Sequence, residues 1–298
     1  MTLSAPLRCS MLAEELDEPM IGSVDARSRW MLVEDRGLWG EKAVRDVLGA
    51  PLEAAAKERG MRLLLVRRRE GDPAADAVRR VFLVDTAGAE MALRTITDLA
   101  DLGGLLDLPV ASFGAPLADP ILLVCTNGKR DACCALRGRA LTTALAAEHA
   151  ERTWECSHLG GHRFAANLVC LPHGLVYGRV TPPGGPRLAD LYLDGRLDPS
   201  QLRGRSAWPA PAQVAEVAVR VQLGVDGVDD LALVGVEIEG ERAMVRIGAP
   251  GGTRLDVQLV AERQPPPRPI SCRADELEEP LHWAVRSISP ETPAPRTA

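Results

Sequence analysis

Residues 121–180 decide the fold of this chain, and they read ILLVCTNGKRDACCALRGRALTTALAAEHAERTWECSHLGGHRFAANLVCLPHGLVYGRV. They contain most of the cysteines and histidines of the 298-residue sequence. The short apolar run that opens the stretch predicts a buried strand that ends at Cys125. A polar turn follows, and then a helical pattern with Cys134 in its first turn. The stretch therefore predicts a strand, a turn and a helix, with a cysteine on each side of the turn.

The second half of the stretch predicts a strand, a loop and a β-hairpin. The segment from Ser157 to His162 is too rich in glycine for a helix interior, so we predict a loop there. Strands are predicted at residues 167–171 and 175–180, joined by a tight turn. The helix before them is predicted to carry four apolar residues on one face. These residues are Leu136, Ala140, Ala144 and Ala147.

Four side chains of this stretch form a mixed set of soft metal ligands. Cys125 follows a strand, and Cys134 opens a helix, where the N-terminus favours a thiolate over a thiol. His158 and His162 lie on one loop with three residues between them. Two thiolates and two imidazoles suit a tetrahedral zinc ion, or a 2Fe–2S cluster in which two histidines replace two cysteines. The residue types leave both metals open.

The stretch resembles the thioredoxin-like 2Fe–2S ferredoxins, in the branch called sucrase/ferredoxin-like. That branch has a cysteine after the first strand and a second cysteine that opens the helix, here Cys134-Ala135-Leu136-Arg137-Gly138. It carries histidines within Ser-His-x-Gly-Gly-His-(Lys/Arg)-Phe-Ala-x-Asn, and this chain reads SHLGGHRFAAN over 157–167. The resemblance covers about 60 of 298 residues. It extends more weakly to Cys9-Ser10, residues 30–34 and Trp39-Gly40.

The resemblance implies a thioredoxin-like ferredoxin unit that binds one 2Fe–2S cluster and carries single electrons, coupled to protons. It implies an electron carrier more than a substrate-specific enzyme, with unknown protein donors and acceptors. The match to the Cys-x-x-Arg-Gly turn favours Cys134 over its neighbour as the ligand. The implied ligands are Cys125, Cys134, His158 and His162. Residues predicted to surround the ligands are Arg130, Cys133, Arg163 and Asn167.

Two alternatives belong to other functional classes. One is a structural or regulatory zinc-binding module with the same four ligands. The other is a thioredoxin-like thiol oxidoreductase, which is disfavoured because the sequence has no Cys-x-x-Cys motif. For Cys9 and Cys272 the sequence leaves two interpretations, either two buried thiols or redox thiols that approach each other or the cluster. Cys156 and Cys170 lie in strand-like runs and are predicted to be core residues.

Composition and charge narrow the classes of function. The chain is 46% hydrophobic and 26% charged, as is ordinary for globular proteins, with a net charge of −6. No basic stripe with interleaved aromatic residues occurs, which disfavours nucleic-acid binding. No apolar run approaches the roughly 18 residues of a membrane span. The N-terminus lacks a signal-peptide pattern, so with free thiols as metal ligands we expect a cytoplasmic protein.

The whole chain predicts a mixed α/β (α+β) fold in several units. A proline-rich segment at 109–120 marks a boundary between an α/β unit and the ferredoxin-like unit. After residue 205, a helical pattern is followed by alternating strands, which indicates a helix packed on an antiparallel meander. The predicted units are 1–115, the ferredoxin-like domain 116–205, the helix and meander 206–286, and a disordered tail 287–298.

Overall fold

The structure, a computed structural model, describes residues 8–68 and 78–291. Helices and two β-sheets confirm the mixed α/β class. The α-helices are α1 Cys9–Glu15, α2 Ala43–Leu48, α3 Ala50–Glu58, α4 Leu102–Leu105, α5 Val110–Phe113, α6 Ala132–His149, α7 Gly184–Leu193 and α8 Ala210–Leu223. The strands are β1 Arg29–Glu34, β2 Arg62–Arg67, β3 Arg79–Asp85, β4 Glu90–Ile96, β5 Ala115–Pro116, β6 Ile121–Cys125, β7 Thr153–Cys156, β8 Leu168–Leu171, β9 Leu175–Tyr177, β10 Leu202–Arg205, β11 Ala232–Glu239, β12 Arg242–Gly248, β13 Arg254–Arg263 and β14 Leu281–Pro290.

The larger sheet contains the same strand topology twice. Its order is β10-β9-β8-β6-β7-β2-β1-β3-β4-β5. In one half, β1 pairs in parallel with β2 and antiparallel with β3, which pairs with β4. In the other half, β6 pairs in parallel with β7 and antiparallel with β8, which pairs with β9. Helices α2 and α3 connect the first parallel pair, and α6 connects the second, as a parallel crossover requires.

The two halves join edge to edge through antiparallel pairing of β2 and β7. Val66 lies opposite Cys156, and Arg67 lies opposite Glu155. One sheet therefore runs through residues on both sides of the predicted boundary at residue 115. The division of the chain into separate domains stays a prediction.

Helix α6 forms where predicted, but the predicted apolar face is not the buried one. Leu136 is 56% exposed, and Ala140 and Ala147 are exposed as well. The buried side of the helix instead carries Cys134, Gly138, Leu141, Thr142 and Leu145. This side carries a glycine where α6 approaches strand β6 closely, so the face predicted from one leucine and three alanines is the wrong one.

Gly138 is the point of closest approach between α6 and β6. A Cβ atom at this position would lie 2.2 Å from the carbonyl oxygen of Cys125. The substitution Gly138→Ala is expected to lower the free energy of unfolding by about 1–3 kcal/mol, because helix and strand must separate. Chemical denaturation measures the change. Gly104→Ala in α4 is the matched control, since nothing lies within 4 Å of its Cβ position, and an equal loss in both variants would contradict the account.

The C-terminal part is a helix packed on a four-stranded antiparallel sheet. Helix α8 packs against this sheet, whose order is β11-β12-β13-β14. Strand β14 extends to Pro290 and pairs with β13, so the disorder predicted from residue 287 is wrong for 287–290. Ile288 packs into the apolar core there, and the predicted tail from 292 onward lies outside the described residues. Residues 9–15, for which the sequence predicted no helix, form α1.

Candidate metal centre

Three of the four predicted ligands lie together at one end of β6. The ligand atoms of Cys125, Cys134 and His158 are all within 4.8 Å of one another. Cys125 ends β6, Cys134 lies in the first turn of α6, and His158 follows β7. Because β6 and β7 are parallel neighbours, the helix start and the loop after β7 meet at the same edge of the sheet.

The fourth predicted ligand, His162, lies against His158. The two imidazole rings stack with centroids 4.9 Å apart and an interplanar angle of 28°. His162 does not join the group of described residues whose ligand atoms lie within 4.8 Å of one another. The structure therefore brings three of the predicted ligand atoms into one group and places the ring of the fourth residue beside His158.

Each histidine has one buried ring nitrogen without a partner. The Nδ1 atoms of His158 and His162 are inaccessible to solvent and make no hydrogen bond within the described part of the chain. Buried polar atoms are rarely left unpaired, because desolvation without a partner costs about 1–3 kcal/mol. Two such nitrogens beside two thiols fit a metal or a metal cluster, which would bind both Nδ1 atoms.

The two neighbouring thiols have pKa values shifted in opposite directions, and the pKa of His162 is lowered. The adjacent Cys134 thiol, and next the nearby His158 ring, hold the pKa of Cys125 well below its usual value in spite of complete burial. The same pairing raises the pKa of Cys134, because the second negative charge is unfavourable beside the first. Burial, and then the charge of His158, lower the pKa of His162 to about 4. His162 is therefore neutral near pH 7, with a lone pair available for a metal.

A buried arginine holds the loop that carries the two histidines. No sequence pattern indicated this residue. Arg203, in β10, is 2% exposed and donates to Asn167 Oδ1 at 2.8 Å and to the carbonyl oxygen of Gly160 at 3.3 Å. Asn167 in turn donates to the carbonyl oxygen of Gly161 at 3.1 Å. Gly161 has φ +66, and a Cβ there would lie 2.1 Å from the Arg203 guanidinium. The Gly-Gly pair therefore lets the loop wrap around Arg203.

Replacing Arg203 tests this support. Arg203→Met removes charged hydrogen bonds to the loop and to Ser23. We expect the free energy of unfolding to fall by about 3 kcal/mol, since each buried charged hydrogen bond contributes about 1.5–3 kcal/mol before new packing offsets part of the loss. Denaturant unfolding of Arg203→Met and of Arg139→Met, an exposed position on α6, measures the difference. Equal stability of both variants would show that Arg203 does not support the loop.

The other residues predicted to surround the ligands have different partners. Asn167 lies beside the loop, as described above. Arg130 reaches Glu41 at 3.5 Å. Arg163 donates to Glu18 Oε1 at 2.7 Å, and its guanidinium lies over the ring of the adjacent Phe164.

Three other cysteines lie outside the group that Cys125, Cys134 and His158 form. Cys133 is directed away from Cys134, toward Cys9, whose sulfur lies 3.7 Å from its own. Cys156 and Cys170 are both fully buried in strands, and burial raises the pKa of both thiols. Neither belongs to a described group of neighbouring ligand atoms, in agreement with a packing role.

An open cleft borders the centre on the side of His158. Its volume is about 430 Å³. Charged residues of both signs line it beside His158, among them Glu41, Lys42, Arg45 and Arg130. The cleft therefore leaves the His158 side of the histidine pair open.

Fold and site together define a mixed α/β protein with a candidate Cys/His metal centre. The chain belongs to the sucrase/ferredoxin-like family, whose sequence profile matches residues 20–204. This range contains the large sheet from β1 to β9 and all four predicted ligands. The resemblance noted in the sequence is thereby confirmed at the level of the family.

Two curated fungal proteins share part of the sequence. The chain is 32% identical over 88 residues to altered inheritance of mitochondria protein 32 of Meyerozyma guilliermondii, covering 26% of this chain and 31% of that protein. It is 32% identical over 106 residues to the protein of the same name from Eremothecium gossypii, covering 30% of this chain and 34% of that protein. The chain thus spans about a third of the length of these relatives. No solved structure matches it significantly.

In residues 8–68 and 78–291, no helix combines the length and apolar character needed to cross a membrane.

Proposed function

We propose that the chain binds one 2Fe–2S cluster through Cys125, Cys134, His158 and His162 and acts as a one-electron carrier. The observation that carries the proposal is the pair of buried, unpartnered histidine Nδ1 atoms beside two adjoining thiols. Two thiols and two imidazoles match the donor set of a 2Fe–2S centre in which histidines bind one iron. Such a cluster supplies reversible one-electron transfer when bound.

The strand arrangement around these residues supports a thioredoxin-like ferredoxin unit. In the half formed by β6, α6, β7, β8 and β9, the order is β7-β6-β8-β9 with a helical crossover in the parallel pair. The ligands lie at the end of the first strand, at the start of its helix and after the second strand. In this arrangement two of the proposed ligands lie on a strand and a helix, and two lie on a loop that Arg203 and Asn167 hold.

The two cysteines and the two histidines would have different roles in binding the cluster and in proton exchange. Cys125 and Cys134 would bind as thiolates, whose charge the N-terminus of α6 favours. Each histidine would bind the metal through its buried Nδ1 and could hold a proton on its Nε2. Because reduction makes a bound imidazole more basic, uptake of an electron and uptake of a proton would favour each other. The cleft beside His158 would admit the edge of a redox partner, and its mixed charges suit a polar surface.

A single zinc ion is the second candidate for this centre. The observation that favours it is that three ligand atoms, from Cys125, Cys134 and His158, lie within 4.8 Å of one another. Zinc would make the centre structural or regulatory, because zinc does not change its oxidation state. The unpartnered Nδ1 of His162 fits a tetrahedral zinc site as well, so metal identity decides between the two functions.

We further propose that the protein works in the cytoplasm, which is a reducing compartment. The seven cysteines are free thiols in the structure, as expected where disulfides do not persist. The name of the fungal relatives refers to mitochondria and describes those proteins.

The number of electrons that the protein accepts tests the proposed function. Anaerobic titration with dithionite, followed by visible absorption, is expected to show uptake of one electron per chain. Addition of ferricyanide should restore the original spectrum. A protein that takes up no electron, and that contains a zinc ion lost in the variant Cys125→Ala, would exclude electron transfer and support the second candidate.

A further inference from the structure

A second group of metal-ligating side chains lies next to the first but is separate from it. The Sγ atoms of Cys9, Cys133 and Cys272 form a triangle with sides of 3.7, 3.3 and 3.4 Å. Asp131 joins them, and the four ligand atoms all lie within 4.8 Å of one another. Cys133 is 124 positions from Cys9 and 139 positions from Cys272. Only the fold brings these residues together.

The distances between the sulfur atoms fit one bound metal ion. A disulfide requires about 2.05 Å between sulfur atoms, and the three cysteines are free. A tetrahedral zinc ion with Zn–S bonds of about 2.3 Å separates its sulfur ligands by about 3.8 Å. Three sulfurs within 3.7 Å of each other can share one ion. They are too close to bind separate irons of a larger cluster.

Asp131 is fixed in the position of a fourth ligand. Its Oδ1 accepts a hydrogen bond from the Cys133 amide at 2.9 Å and so caps α6. Its Oδ2 accepts from the Cys272 amide at 3.0 Å and lies 3.8 Å from Cys9 Sγ. The residue is 1% exposed. A buried carboxylate that faces three thiols needs a cation to offset its charge if those thiols ionise.

We propose that Cys9, Cys133, Cys272 and Asp131 bind a zinc ion at a site distinct from the first centre. Thiolates together with a carboxylate oxygen favour zinc over copper(I), which prefers sulfur alone. Ser10 Oγ donates to Cys133 Sγ at 3.2 Å, which supports negative charge on that sulfur. Binding releases the thiol protons to solvent, because the ligands are thiolates.

The ion would cross-link three segments of the chain. Cys9 lies in α1, Cys133 in the first turn of α6, and Cys272 in the connector between β13 and β14. A buried carboxylate already ties two of these regions, since Glu18, shortly after α1, binds Arg268 of the connector at 2.9 Å. Glu18 also binds Arg163, next to the histidine loop, at 2.7 Å. The zinc ion would thus stabilise the connector and the turn of α6 that also carries Cys134.

Zinc and iron content of purified variants tests the proposal. The full chain, prepared anaerobically without chelators, is compared with Cys272→Ala and with Cys170→Ala, a buried cysteine outside both groups. We expect Cys272→Ala to contain about one zinc fewer per chain than the wild type, with unchanged iron, and Cys170→Ala to match the wild type. Cys272 is exposed, so its replacement leaves the buried core intact.

The double variant His158→Ala/His162→Ala separates this site from the first centre. It is expected to retain the zinc ion bound by Cys272 whatever metal the first centre holds. If the first centre also binds zinc, the wild type contains about two zinc ions and Cys272→Ala about one. Equal zinc in the wild type and in Cys272→Ala would overturn the proposal. So would copper in place of zinc, or a mass loss of two hydrogens that identifies a disulfide.

Cobalt(II) gives a second readout that does not require a cysteine variant. The double histidine variant is produced in zinc-depleted, cobalt-supplemented medium. We expect intense thiolate-to-cobalt absorption together with the visible bands of a tetrahedral ion, at about one cobalt per chain. Absence of these bands in the folded protein would overturn the site.

Discussion

Cys134→Ala is expected to lose the iron of the first centre, whereas Cys133→Ala keeps it. Cys134 shares a group of neighbouring ligand atoms with Cys125 and His158, while the Cys133 sulfur faces Cys9 and Cys272. Mutation of residues that only hydrogen-bond to a metal ligand typically lowers metal affinity by about 10–100-fold. Removal of a ligand itself should therefore lower the iron content at least about tenfold. Iron and sulfide analysis of the two anaerobically purified variants measures the effect.

These two substitutions form a matched pair. Both remove one buried thiol from the first turn of the same helix, and both replace it with alanine. Any general effect on helix stability should therefore be similar. Equal iron loss in both variants would contradict the assignment of the two sulfurs to different sites. Retention of iron in Cys134→Ala would remove this residue from the ligand set.

The double variant His158→Cys/His162→Cys is expected to have a midpoint potential lower by at least about 200 mV. Two thiolates in place of two neutral imidazoles add two negative charges, which favour the oxidised cluster. Centres with two histidines span about −150 to +300 mV, against about −400 mV for plant-type all-cysteine ferredoxins. Spectroelectrochemical titration of both proteins measures the difference.

The same pair of proteins should differ in the pH dependence of the potential. Oxidation makes a bound imidazole N–H more acidic, so the oxidised wild type loses protons first and its potential falls as pH rises. For one proton per electron, the slope approaches about −59 mV per pH unit. The all-cysteine variant has no such proton and should show a flat profile. A wild-type potential that is constant between about pH 6 and pH 10 would contradict histidine ligation.

The sequence predicted the parts of the centre that local patterns encode. A short apolar run, a polar turn and a helix start indicated where Cys125 and Cys134 lie, and the Gly-Gly pair indicated a loop for the histidines. The structure has the strand, the helix and the loop at these places. The buried face of α6 was not predicted, because Gly138 and Thr142 interrupt the apolar periodicity on the side that carries Leu141.

Other features depend on contacts that no local pattern encodes. Most arginines are exposed, so the sequence alone predicts an exposed side chain for Arg203. Its burial depends on the pairing of β10 with β9, next to the histidine loop. Cys9 and Cys272 are 263 positions apart, and spacing cannot predict that they meet. The sequence patterns also did not predict the helix that begins at Cys9.

The visible absorption spectrum of anaerobically purified protein, with iron, sulfide and zinc assayed on the same sample, tests the central claim most directly. We expect a red-brown protein with about two iron and two sulfide per chain, bleached by dithionite, together with about one zinc ion at the second site. A colourless protein with no iron, even after reconstitution with iron and sulfide, and with zinc bound by Cys125 and Cys134, would contradict the electron-transfer function.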